Sequence, residues 1–84
     1  MNYNRAYFLY SLYFASEEER IKYLKRSSRE NYAKASYELA LIYYSAGNYE
    51  LAQSYLLKAE QQNLAIKQVD RTLHQSIQML KILL

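Results

Sequence analysis

Few residues in this chain are of types that do chemistry, and their spacing decides what they could do. There is one histidine, His74, and no cysteine. Asp70 stands one helical turn before His74 and could hydrogen-bond it, but no nucleophile shares that face to make a dyad. A lone imidazole cannot hold a metal, and there is no Cys cluster for zinc. The run Glu17-Glu18-Glu19 could attract a cation. It follows Ser16, however, and Ser16 with Glu19 has the spacing of a capping box at a helix N-terminus. A single glycine leaves no Gly-rich phosphate loop. The sequence therefore predicts no catalytic site, no metal and no cofactor, and the chain is read as a non-enzyme.

The basic residues offer a different chemistry. Lys22, Lys25, Arg26, Arg29 and Lys34 lie close together, with Tyr23 and Tyr32 between them. Cations interleaved with aromatics can follow a single-stranded backbone while bases stack. The bland reading is a solvated helix face whose cations complement the C-terminal dipole. Glu17, Glu18, Glu19 and Glu30 dilute the field, and the formal charge of the chain is only +3. A small basic regulator that binds nucleic acid is the alternative reading, behind a protein-binding one.

The elements that would position these residues are helical throughout. Asn4 to Ala15 is apolar on nearly every side, which predicts a first helix buried on more than one face. A second helix is expected from about Glu17 to Arg29. Leu39, Ala40, Tyr43 and Ala46 fall at helical spacing before Gly47-Asn48, and Tyr49, Ala52, Leu56 and Ala59 do so after it. Gly47 can take the left-handed conformation that ends a helix, and Asn48 can cap the next. Ala40, Ala52 and Ala59 let two helices approach closely. Glu18, Tyr23, Leu24 and Asn31 recur as Glu50, Tyr55, Leu56 and Asn63 at an offset of 32 residues, so two degenerate hairpins are expected. Ile66, Val69, Leu73, Ile77, Leu80 and Leu84 then fall on one face of a last helix. Its opposite side carries Lys67, Asp70, Arg71, Gln75 and Gln78, and its Ile82-Leu83-Leu84 tip is apolar.

The stretch from Lys34 to Asn63 resembles a tetratricopeptide repeat, a helical hairpin of about 34 residues. The family's Leu-Gly/Ala pair is Leu39-Ala40, its tyrosine is Tyr43, and its later small-and-large pair is Ala52 and Leu56. Its glycine, tyrosine and second-helix alanine match Gly47, Tyr49 and Ala59. Ser36 stands where the family carries Trp, and Leu64 where a proline opens the next repeat. The resemblance implies an all-α fold: two antiparallel helical hairpins, about 4–30 and about 33–62, plus a C-terminal capping helix, about 64–83, in one TPR-like superhelical domain.

It also implies a site. In that family the first helix of each hairpin lines a concave surface. Carried over, those positions are Lys34, Tyr37, Leu41 and Tyr44, with Asn4, Tyr7, Ser11 and Phe14 beside them by the internal alignment. This stripe is distinct from the packing stripe of Leu39, Ala40 and Tyr43, so it is the candidate binding surface unless the last helix covers it. The family's basic clamp for a C-terminal carboxylate is missing, because Tyr37 and Leu41 stand in its place. The expected ligand is an apolar helix or strand. The expected function is a protein–protein interaction module, a small adaptor or chaperone shielding an apolar helical segment of a partner. This looks like the small tetratricopeptide-type chaperones that hold secretion-apparatus subunits.

Composition agrees with such a role. Half the residues are apolar, and eleven are tyrosines, whose apolar body and polar tip suit half-buried interfaces. A chain of 84 residues buries about 60–65% of its unfolded surface, so its core is modest. The apolar tip and first helix predict homo- or hetero-oligomers. The longest apolar run, Ala6 to Ala15, falls well short of the roughly 20 residues that span a bilayer. Arg5 is too thin a basic region for a signal peptide, and Tyr13 sits where a small residue is wanted before a cut at Ala15. The chain is accordingly expected to start at Met1 and to be cytoplasmic.

Overall fold

The computed structural model describes residues 16–84. The predicted first helix, Asn4 to Ala15, lies outside the described residues, and Tyr7, Ser11 and Phe14 lie there with it. Four helices make up the described part, and no strand occurs in it: α1 Glu17–Arg29, α2 Ala33–Ser45, α3 Tyr49–Ala65 and α4 Arg71–Leu83.

The starts of three helices follow from short polar side chains. Ser16 caps α1 by accepting from the Glu19 N–H, and its hydroxyl donates to the Glu19 carboxylate at 3.3 Å. Asn48 caps α3 through the Leu51 N–H. Asp70 caps α4 through the Leu73 N–H at 3.0 Å. Ser16 and Asn48 are 32 residues apart, the offset of the sequence repeat. Leu24 and Leu56 share that offset and are both fully buried.

Two helices end in the same way. Gly47 sits at φ +81°, with the Asn48 N–H bonded to the Tyr43 carbonyl and the Gly47 N–H to that of Tyr44. This is the Schellman turn, which satisfies carbonyls the helix leaves open. The turn after α1 repeats it without a glycine. Asn31 is at φ 68°, the Tyr32 N–H reaches the Ser27 carbonyl, and the Asn31 N–H reaches that of Ser28. Asn tolerates this conformation better than most residues with a side chain. Both turns reverse the chain, so α1, α2 and α3 run antiparallel in sequence.

Helix α2 lies between two core clusters. Leu24 of α1 packs with Ala35 and Leu39 on one side of it. On the other, Ala33 and Ala40 meet Leu56 and Ala59 of α3 and Leu73, Ile77 and Leu80 of α4. Ala40, Ala52 and Ala59 are wholly buried, and Tyr43 stacks on Tyr55 with ring centroids 5.7 Å apart. A polar ring joins three helices inside this packing. The Ser36 hydroxyl donates to Gln62 Oε1 at 2.6 Å, and Gln62 Nε2 donates to the Ser28 carbonyl at 2.8 Å. The Ser28 and Ser36 hydroxyls are 2.6 Å apart. Ser36 has one hydrogen and gives it to Gln62, so Ser28 donates to Ser36.

The last helix begins later than its apolar spacing predicts. Helix α3 runs on to Ala65, and α4 starts at Arg71 rather than near residue 64. Ile66 and Val69 lie in the connecting segment and are exposed. The cause is Asn63. Its side chain accepts from the Asp70 N–H at 3.1 Å and donates to the Asp70 carbonyl at 3.0 Å. That clasp folds the segment into a loop and delivers Asp70 to cap α4.

Candidate functional site

The four described residues of the predicted stripe occupy one side of α2. Lys34 is exposed at the start of the helix, while Tyr37, Leu41 and Tyr44 are half-buried. All three of the latter pack against the cluster that holds Leu73, Ile77 and Leu80 of α4. The terminal helix thus contributes to the cluster against which this stripe packs, and α2 and α4 leave openings between them at the ends. At one end, Lys34, Tyr37 and Glu38 face Thr72 and Ser76 across a hollow of about 220 Å³. At the other, Tyr44, Tyr49, Leu83 and Leu84 line a hollow of about 240 Å³. The Tyr44 and Tyr49 rings are tilted, with centroids 5.5 Å apart.

Of the packing stripe, Leu39 and Ala40 are fully buried, whereas Tyr43 is half-buried like Tyr37, Leu41 and Tyr44. Among the described residues, the largest apolar exposure falls elsewhere, on α4. Ile82 is 82% exposed, Met79 69% and Leu83 65%. These positions fall one helical turn apart or side by side, so they form one patch. It adjoins the Tyr44 hollow, because Leu83 belongs to both. Gln78, placed by spacing on the polar side of α4, is half-buried and donates to Glu60 of α3 at 2.7 Å. Lys81 donates to both oxygens of the same carboxylate at 3.0 Å.

Two carboxyl groups are perturbed, in opposite directions. The hydrogen bond from Gln78, and after it that from Lys81, holds the Glu60 carboxyl below the usual carboxylate range. Burial pushes Glu38 up, and the charges of Arg20 and Lys34 offset only part of that. The Asp70–His74 side-chain hydrogen bond that their spacing allows does not form. The Asp70 carboxylate goes to the Leu73 N–H, and His74 Nδ1 is buried without a partner among the described residues. Among those residues, no three groups of His, Cys, Asp or Glu come together as metal ligands, and no helix is long and apolar enough to cross a membrane.

Spacing along the chain did not reveal the Ser28–Ser36–Gln62 ring, the Asn63–Asp70 clasp or the Glu60 contacts to α4. Each joins residues brought together only by the fold. The Asn31 turn had a signal: an asparagine just after a helix whose last turn is basic. No protein-family model matches this sequence, and no curated protein or solved structure matches it either.

Proposed function

We propose that this chain is a protein–protein interaction module built of tetratricopeptide-like hairpins, a small adaptor or chaperone that shields an apolar helical segment of a partner. The observation that carries the reading is the exposed patch of Met79, Ile82 and Leu83 on α4. Large apolar side chains grouped on one helix face, rimmed by polar ones, mark interaction surfaces more often than isolated exposed residues do. The hollow among Tyr44, Tyr49, Leu83 and Leu84 continues the patch and can take an anchoring side chain. The recurrence of cap, buried leucine and asparagine at one offset in α1 and α3 supports a hairpin array. In this reading, Tyr37 and Leu41 pack against the cluster that α4 enters, and Tyr44 lines the hollow beside the patch.

The test is copurification from the native host in high salt, with wild type, Ile82→Ser with Met79→Ser, and Leu41→Ala. Apolar contacts survive salt, whereas phosphate contacts weaken steeply. A partner retained by wild type and lost by the α4 variant, with helicity unchanged, fits the proposal. A partner that the α4 variant retains fully overturns it.

A further inference from the structure

Helix α1 carries a row of cations on the side turned away from the core. Lys22, Lys25, Arg26 and Arg29 are all exposed. Steps of three or four residues put them on one side of the helix, each within a turn of the next. The other side, with Leu24, Ser27 and Ser28, is buried. The acids of this stretch stand at its two ends. Glu17, Glu18 and Glu19 make up the first turn, where they complement the dipole. Glu30 follows the last turn and takes Arg26 at 3.9 Å. Lys22, Lys25 and Arg29 make no hydrogen bond or ion pair among the described residues, although Glu18 stands one turn before Lys22.

Helix stability does not account for the whole row. The dipole attracts cations in the last turn only, which covers Arg26 and Arg29. Lys22 and Lys25 lie before that turn. Lys22 is three and four residues from Lys25 and Arg26, and Arg29 is four and three residues from the same two. Like charges at these spacings destabilise a helix. A ligand whose negative charge recurs along its length relieves that repulsion at every step, whereas a single anion relieves it at one.

We propose that this face of α1 binds the phosphate backbone of duplex DNA without reading its sequence. Lys22 and Arg29 are about 10.5 Å apart along the helix axis. Duplex DNA presents one phosphate per about 3.4 Å of axis on each strand, so the row spans about three of them. No aromatic ring is exposed among the cations: Tyr23 and Tyr32 are half-buried, which leaves little for the bases of a single strand to stack on. Ser27 and Ser28 are buried, so the row lacks hydroxyls to meet the 2′-hydroxyls of RNA. A lipid surface is a poorer match, because Leu24 and Ile21 pack inward and leave α1 nothing apolar to insert. An acidic protein face gains little from exposed ion pairs, whereas DNA also releases its condensed counterions. The face shares no residue with the α4 patch.

Fluorescence anisotropy on the full chain tests this, with a short labelled DNA duplex titrated from low to physiological salt. The logarithm of the affinity should fall against that of the salt concentration with a slope of about −3, one phosphate counting about 0.9. Lys22→Gln and Lys25→Gln should each flatten the slope by about 0.9. Gln forms helix about as well as Lys, so both variants should keep the native circular dichroism. Lys67→Gln, in the α3–α4 loop, and Ile82→Ser should leave the slope unchanged, and a duplex of unrelated sequence should bind equally. No binding at low salt overturns the proposal, as does a slope that the two α1 variants leave unaltered or that Lys67→Gln flattens as much. Tighter binding of a single strand, an RNA duplex, a poly-glutamate peptide or phosphatidylserine vesicles, run in parallel, overturns it too.

Discussion

Asn31 and Asn63 hold the same place in the internal repeat, and the structure uses them in opposite ways. At Asn31 the backbone matters: it takes φ 68°, ends α1 and turns the chain within three residues. At Asn63 the side chain matters: α3 passes straight through it, and the amide reaches across a loop to both backbone groups of Asp70. The residue type is one that serves turns and clasps equally well. What decides is the neighbourhood. The Ser27 and Ser28 carbonyls close the first turn, whereas at the second the helix continues to Ala65 and a buried amide must find partners elsewhere.

The same substitution at the two sites should therefore give different results. Asn63→Ala leaves the Asp70 N–H and carbonyl without partners in a partly buried place and should cost about 2–4 kcal/mol. Asn63→Gly should cost at least as much, because it adds backbone freedom within a helix. Asn31→Ala should cost about 1–2 kcal/mol for the left-handed backbone alone, and Asn31→Gly should be neutral or slightly stabilising. Denaturant melts of the four variants measure this. Equal losses for the two alanine variants would show that the comparison is mistaken.

Smaller effects sharpen it. Ser36→Ala opens the ring that ties the first junction to α3, strands Gln62 Oε1 in a buried site, and should cost about 1–3 kcal/mol. Gly47→Val forces a β-branched residue into the other Schellman turn. A Cβ there meets nothing within 4 Å, so the expected cost of about 1–2 kcal/mol is conformational rather than steric. A loss well above that figure would mean the side chain clashes.

The smallest effect is in pH. The Glu60 carboxyl is held low in the folded chain, so its contribution is complete above the ordinary carboxylate value and fades as pH falls through the lower folded one. The contacts of α4 to α3 should weaken by under about 1 kcal/mol below roughly pH 4, and Glu60→Gln should remove that dependence. Glu38 has the reverse sign: raised by burial, it favours folding when protonated and loses that contribution as pH rises through its folded value. Glu38→Gln should raise the melting temperature slightly at neutral pH, and a fall there would contradict the burial explanation.

Local signals in the sequence carried much of this fold. Ser16 with Glu19, Gly47 and Asn48 mark helix ends through bonds within a few residues, and all behave as their spacing predicts. The start of α4 was not legible, because Ile66 and Val69 continue an apolar period that the Asn63 clasp interrupts from outside it. Spacing also marked Leu39 and Ala40 as buried on α2, though Tyr43 is only half-buried. It could not say that Leu73, Ile77 and Leu80 would join the cluster against which Tyr37, Leu41 and Tyr44 pack, since that depends on where the loop returns the chain.

The Ser28–Ser36–Gln62 ring has a consequence for how the helices find their register. Contacts among alanines and leucines are nearly as good after a helix slides by a turn, since apolar burial has no direction. Three linked hydrogen bonds, one from each of three helices, close at a single setting of rotation and translation. Every slipped assembly of α1, α2 and α3 buries a hydroxyl or an amide with nothing to bond. The ring thus acts as an index mark, admitting one alignment of the hairpins and penalising the near misses that greasy packing alone would tolerate.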